Sequence, residues 1–275
     1  MSNIQIVSDS TAAFTQQEIN QMGLEIVPLS IHFENEVFEE GQPDTYSEYF
    51  SRLAASKSIP TTSQPSAGRF YEVFQKALSQ GKQVIAILLS SSLSGTVNSA
   101  QTAAEMAGGK GITVIDSMTA VGNLRHLVKI AWQAAEAGST AEEVAALVNA
   151  QAPTMFAALT VGDLIYLKRG GRLNNSQYFV GKLLNILPVI VLREGKLFPY
   201  AKVQGSKAMF AALQQAVPAN VKGISVLHID TPENAEQLRQ LLRDRFPDVP
   251  IDVGPISPVI GSHLGPGAFG YTYFY

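Results

Sequence analysis

Val84-Ile85-Ala86-Ile87-Leu88-Leu89 carries no polar residue and passes through Ser90-Ser91-Ser92-Leu93-Ser94-Gly95-Thr96 straight into an alanine-rich helical segment. A continuous apolar run of strand length is the pattern of a strand buried on both faces, as in parallel sheets. The same grammar recurs on either side. Residues 4–7 form a short strand that ends in Ser8-Asp9-Ser10-Thr11. The next helix has Thr15 and Glu18 as a capping box, Phe14 and Ile19 as a hydrophobic staple, and Gly23 as its stop. Residues 112–115 make a further strand, closed by Asp116-Ser117. Helices follow over 124–137 and from the box Thr140…Glu143. Phe70, Val73, Phe74, Ala77 and Leu78 share one helical face just before the central strand. Strand–helix alternation with short links predicts an α/β fold with a doubly wound parallel sheet.

Between these units, residues 26–33 and Val37-Phe38 flank Glu34-Asn35-Glu36 as a hairpin or strand excursion. A helix from Thr45, with Glu48 boxing the cap, places Tyr46, Tyr49, Phe50 and Leu53 on one face. Beyond residue 151 the pattern changes. A strand over 155–161 leads to a basic, glycine-rich turn, Lys168-Arg169-Gly170-Gly171-Arg172, and residues 188–192 and 197–203 pair as a hairpin around Glu194-Gly195. A helix over 206–217, a strand over 224–229 and a helix opened by Thr231-Pro232 follow. The expectation is a parallel-sheet α/β domain over 1–151 and a second α/β domain, with a mixed or antiparallel sheet, over 152–275.

Composition removes several classes of function. The 275 residues are 46% hydrophobic and 16% charged, with 20 basic against 23 acidic side chains, a net charge of −3. That balance lacks the surplus of clustered Lys and Arg that nucleic acid requires. The absence of cysteine excludes disulfides, thiolate metal sites and Cys nucleophiles. The start of the chain lacks the basic and apolar regions of a signal peptide, and no apolar stretch reaches about 18 residues, so a cytoplasmic protein without a transmembrane segment is expected. Transient contact with a membrane surface stays compatible with this.

The 90–96 loop is the most informative spot. A turn between a buried strand and a helix N-terminus is a natural anion site, because unpaired N–H groups and the helix dipole converge there. Ser94 and Thr96 add hydroxyls, and Gly95 lets a ligand approach the backbone. Ser94 reads equally as the cap of the following helix. Thr61-Thr62-Ser63 reads by itself as a turn with Ser66 as a helix cap, yet with the 8–11 run it is a further hydroxyl-rich loop that fits a shared anion site. His32, His126 and His228 read as structural, whereas His263 lies in a glycine-rich loop able to present its imidazole. No histidine pair has metal-ligand spacing, so no metal is expected. P-loop and G-x-S-x-G nucleophile motifs are absent, and G-x-G-x-x-G over 265–270 has no room for a strand–helix–strand unit. Arg172 sits in a solvated basic turn that can also receive phosphate or a partner.

Several stretches together resemble the DegV family of fatty-acid-binding proteins. They are Ser8-Asp9-Ser10-Thr11, Thr61-Thr62-Ser63-Gln64-Pro65-Ser66, Ser91-Ser92-Leu93-Ser94-Gly95-Thr96, Ile115-Asp116-Ser117, Leu167-Lys168-Arg169-Gly170-Gly171-Arg172 and Val259-Ile260-Gly261-Ser262-His263-Leu264-Gly265-Pro266-Gly267. The resemblance implies a long-chain fatty acid held between two domains as ligand, with no cofactor and no catalytic residue. It implies a carboxylate site around Thr62, Ser63, Ser94, Gly95, Thr96 and His263. It also implies a separate ATP-dependent fatty-acid kinase as partner, feeding phospholipid synthesis, and makes Arg172 a partner-facing or phosphoryl-facing residue. Gln204 departs from the pattern: many members carry Arg there, so docking would rely on Lys202 and Lys207. Two alternatives remain, a free-standing esterase or phosphotransferase using Ser94 with His263, and a lipid-sensing regulatory module.

Overall fold

In the computed structural model of the chain, which describes residues 3–173 and 186–275, three sheets and ten helices alternate. The strands are β1 (Ile4–Asp9), β2 (Glu25–Val27), β3 (Ser30–Phe33), β4 (Glu36–Glu39), β5 (Thr61–Ser63), β6 (Gln83–Leu88), β7 (Ile112–Asp116), β8 (Met155–Thr160), β9 (Ile186–Arg193), β10 (Lys196–Gln204), β11 (Gly223–His228), β12 (Ile251–Pro255) and β13 (Phe269–Phe274). The helices are α1 (Gln16–Met22), α2 (Tyr46–Ala55), α3 (Ala67–Ser79), α4 (Thr96–Met106), α5 (Val121–Glu136), α6 (Ala141–Gln151), α7 (Ile165–Gly170), α8 (Ser206–Gln215), α9 (Pro232–Arg245) and α10 (Pro258–Leu264).

The first large sheet has the order β2-β1-β6-β7 and every pair is parallel. β6 is buried on both faces, as its sequence required. Val84, Ala86 and Leu88 share a core with Phe70, Phe74, Val97 and Ala100 of α3 and α4. Ile85 and Ile87 share another with Leu124, Leu127 and Val128 of α5. The second large sheet runs β10-β9-β8-β13-β11-β12 and is mixed, with β11 and β12 as its parallel pair. Its far face packs on α8 and α9 through Tyr271, Phe210, Leu213 and Leu238. A small antiparallel sheet, β4-β3-β5, sits apart. α5 lies between the large sheets, touching β1 and β6 on one side and β13 and β11 on the other. The Asn123 amide ties it to the second sheet by donating to Phe156 O (2.9 Å) and Tyr273 O (3.1 Å).

Capping boxes form at Thr15/Glu18 and Thr140/Glu143. The β9–β10 hairpin turns through Glu194 and Gly195, both with left-handed backbone (φ 51° and 75°), the geometry that matches strand twist. Four local expectations fail. Thr45 does not cap α2: its hydroxyl donates to Gln42 O, and a 3-10 turn runs directly into the helix. The run 26–33 is two strands in different sheets, separated at Pro28-Leu29, because proline ends the ladder. Lys168, Arg169 and Gly170 are not a turn but the end of α7, which Gly171 closes with φ 66°. His263 lies on α10 rather than in a loop, since Pro258 opens a helical turn that ends only at Gly265. β12 and β13 were not anticipated, and β13 is an inner strand of the six-stranded sheet.

Candidate functional site

A cavity of about 940 Å³, counting its open mouth, is lined by residues from both halves of the chain. Its wall is mostly aliphatic: Leu29, Leu89 and Leu93 come from the first half, and Leu192, Leu227 and Ile256 from the second. Thr62, Ser94, Arg172 and His263 interrupt that wall. An apolar enclosure with a few convergent polar groups is the usual form of a small-molecule site.

Each of these polar side chains is placed by a different local device. β5 pairs with β3 in register Thr62↔Ile31 and Ser63↔Ser30, which turns Thr62 inward. Ser94 lies in the loop between β6 and α4, where Ser94 N–H donates to Ser90 O (3.1 Å) and the Ser90 hydroxyl donates to Gly195 O (2.8 Å). The β9–β10 turn is thereby fastened to the 90–96 loop. Arg172 follows the αL stop of α7, and its Nε donates to Leu93 O (3.1 Å) while Nη1 donates to Gly170 O. His263 is carried by α10, which is anchored at several points. Val259 N–H donates to Glu40 Oε1 (2.6 Å), Tyr49 OH pairs with Ser262 Oγ (2.6 Å), and Gly170 packs against the imidazole so closely that a β-carbon there would collide with it.

His263 Nε2 and Thr62 Oγ1 are 2.7 Å apart. Burial, and secondarily the Arg172 charge, pushes the His263 pKa down to about 4. The imidazole is therefore neutral near pH 7, and the fixed positive charge at this point is that of Arg172. Ser94 Oγ pairs with Thr96 Oγ1 (2.9 Å), not with His263. Among the described residues no histidine pairs with the Ser94 hydroxyl to activate it for nucleophilic attack.

Ser94 does not cap α4 either. Gly95 is the N-cap, and no cap side chain bonds into that first turn. Of the expected headgroup residues, the structure brings together Thr62, Ser94 and His263, and adds Arg172. Ser63 lies outside the cavity lining, with its hydroxyl 3.0 Å from His32 Nε2. Gly95 leaves room for Gln64, whose amide nitrogen is 2.6 Å from where a β-carbon would sit. Thr96 is buried beneath Ser94 and touches the cavity only through it. The 8–11 run does not reach the cavity at all. Ser8 Oγ donates to Ile87 O (2.8 Å), Ser10 Oγ accepts from Leu29 N–H (3.0 Å), and Asp9 accepts from the N–H groups of Thr11 (3.0 Å) and Leu89 (2.7 Å). Glu40, the buried anchor of α10, was missed because nothing in Phe38-Glu39-Glu40-Gly41 distinguishes it from a solvated acidic pair.

His126 stacks on Phe274 with ring centroids 4.0 Å apart, and His228 Nδ1 accepts from Thr231 N–H (3.3 Å), so both are structural. Among the described residues no cluster of metal-ligating side chains occurs, and no helix is long and apolar enough to cross a membrane. Gln204, Lys202 and Lys207 lie exposed at and beyond the end of β10.

A family model described as an uncharacterised protein of the DegV family matches residues 3–275. A DegV domain-containing protein of Halalkalibacterium halodurans is 32% identical over 280 residues, covering 100% of this chain and 99% of its own. A DegV family protein of Thermus thermophilus, described by its fatty acid binding, superposes with a TM-score of 0.88 at 31% identity, covering 100% of this chain and 99% of its own. A DegV lipid-binding protein of Thermotoga maritima gives a TM-score of 0.88 at 29% identity, covering 100% and 98%. In sequence and in three dimensions alike, the chain belongs to the DegV family.

Proposed function

We propose that the chain binds a long-chain fatty acid in this cavity, with the carboxylate on Thr62, Ser94 and His263 and the hydrocarbon along the aliphatic wall. The observation that carries the reading is the convergence of hydroxyl, imidazole and guanidinium groups at one aliphatic cavity. The solved relatives described as fatty-acid-binding share this fold at full length. A carboxylate needs hydrogen-bond donors, and the uncapped N-terminus of α4 beside Ser94 adds the positive end of a helix dipole. Transfer of each methylene from water contributes about 0.8 kcal/mol, so a chain of roughly sixteen carbons supplies most of the driving force. Residues 1–151 and 152–275 act in this reading as two domains that close over the chain.

In the same reading the bound acid is presented to a separate ATP-dependent fatty-acid kinase, which phosphorylates the carboxylate. Arg172, half-buried at the cavity wall, would face the added phosphoryl group. Arg172→Ala is then expected to slow acyl-phosphate formation with a kinase more than it weakens fatty-acid binding; the reverse order would reassign Arg172 to the carboxylate. The binding claim itself is tested by organic extraction of the purified protein and mass spectrometry. A fatty acid in stoichiometric amount is expected. Repeated absence of lipid, with no uptake of added palmitate or oleate, would overturn it.

A further inference from the structure

Two hydroxyls in the cavity wall take no part in the headgroup cluster. Thr119 Oγ1 and Thr272 Oγ1 are buried and have no hydrogen-bond partner among the described residues, and both residues line the cavity. Thr119 is 0% and Thr272 3% exposed. A buried hydroxyl without a partner is unfavourable, and the remedy is a polar atom brought by whatever fills the space. Thr119 precedes Ala120, the N-cap of the sixteen-residue α5, and Ala120 has no side chain able to accept from the first turn. Ala120 and Val121 themselves line the cavity, and Val121, β-branched, holds a left-handed backbone (φ 46°) that such residues rarely adopt. Thr272 Oγ1 sits 2.6 Å from where a β-carbon on Gly122 would be, so glycine is what lets that hydroxyl lie against the first turn of α5.

We infer that Thr119, Thr272 and the first turn of α5 form a second polar subsite, which accepts an oxygen carried on the acyl chain. The preferred ligands are then hydroxy or oxo fatty acids rather than plain hydrocarbon chains. The inference rests on the proposed fatty-acid site and names its substrate class. Hydroxyls can donate to either kind of oxygen, and the dipole of an uncapped helix start favours an acceptor. A site built to hydrogen-bond an oxygen discriminates against an analogue lacking it, because its own polar groups are then left unpaired.

The test is a set of binding titrations of the full chain with stearate and with positional series of mono-hydroxystearates and oxostearates. At least one isomer is expected to bind about tenfold more tightly than stearate, from roughly one net hydrogen bond. Thr119→Val and Thr272→Val, which keep the shape and remove the hydroxyl, should abolish that preference and tighten stearate several-fold. Thr119→Ser should restore the preference. The two series separate hydroxyl from carbonyl oxygen. If stearate binds but no oxygenated isomer exceeds it, and the valine variants leave the ratios unchanged, the subsite is refuted while the fatty-acid site stands. If neither stearate nor any isomer binds, the fatty-acid reading itself fails and takes this inference with it.

Discussion

The loops after β1 and after β6 leave neighbouring parallel strands at the same sheet edge, and both are rich in serine and threonine. One closes on itself and the other faces the cavity. After β1, the hydroxyls of Ser8 and Ser10 and the Asp9 carboxylate are consumed by backbone groups of β6, Leu29 and Leu89, with Thr11 completing the set. After β6, the Ser94 hydroxyl pairs, among the described residues, with Thr96 Oγ1, and α4 begins without a side-chain cap. Hydroxyl content therefore does not separate scaffold from site. What separates them is where the hydroxyls face: Asp9 collects the donors around it in the buried interior, whereas in the 90–96 loop Ser90 and Ser91 are spent on Gly195 O and the Asp116 carboxylate and, of the loop's hydroxyls, Ser94 alone lines the cavity.

The sharpest way to break this contrast is to remove Asp9. Asp9→Ala leaves buried N–H groups of Thr11 and Leu89 unpaired, and a loss of about 3–5 kcal/mol in unfolding free energy is expected by denaturant titration. The affinity of the surviving folded protein for palmitate should change little. A large affinity loss with intact stability would invert the roles of the two loops.

The second prediction concerns pH. Burial raises the Asp9 pKa to about 6 and that of Glu40 to about 7. For an acid raised above its unfolded value, the stabilising contribution is full at low pH and is lost as pH rises through the folded value. His263, lowered to about 4 by burial, acts in the opposite sense over part of the same range, so the informative quantity is a difference. Wild-type minus Asp9→Asn unfolding free energy should fall between about pH 4 and pH 7 by on the order of 3 kcal/mol. A flat difference would mean that Asp9 is not buried as described.

Ser94→Ala sharpens the other half of the comparison. Loss of a hydroxyl donor to a charged oxygen is worth about 1.5–3 kcal/mol, or roughly 10- to 150-fold in fatty-acid affinity. Because Gly95 rather than Ser94 is the N-cap, the melting temperature should hold. His263→Ala should cost a similar factor, and the double variant less than the sum, since both donors share one carboxylate. Ser63→Ala is the smallest effect: its hydroxyl faces His32 outside the cavity, and affinity should stay within about twofold, below one net hydrogen bond. A Ser63 effect equal to that of Ser94 would show that β5 presents its other face to the ligand.

Most of the scaffold was legible because its signals are local. An apolar run identifies β6, Thr15/Glu18 and Thr140/Glu143 cap their helices, and Glu194-Gly195 marks a turn needing left-handed backbone. The failures are tertiary. Phe269-Gly270-Tyr271-Thr272-Tyr273-Phe274 lacks a simple alternation and becomes an inner strand only because β8 and β11 pair with it on either side. The short helix carrying His263 owes its position to Glu40, Tyr49 and Gly170, residues far away in the chain. At the site, Thr62, Ser94 and His263 came from family motifs. Spacing could not tell them from Ser63, Gly95 or Thr96, because which face of β5 turns inward depends on its register with β3.

The most direct test of the account is the crystal structure of the palmitate complex. The carboxylate is predicted within hydrogen-bond reach, about 2.5–3.2 Å, of Thr62 Oγ1, Ser94 Oγ and a ring nitrogen of His263, with the chain running along Leu89, Leu192 and Ile256. A carboxylate seated instead against Thr119, Thr272 and the start of α5, or density lying outside the cavity, would contradict it.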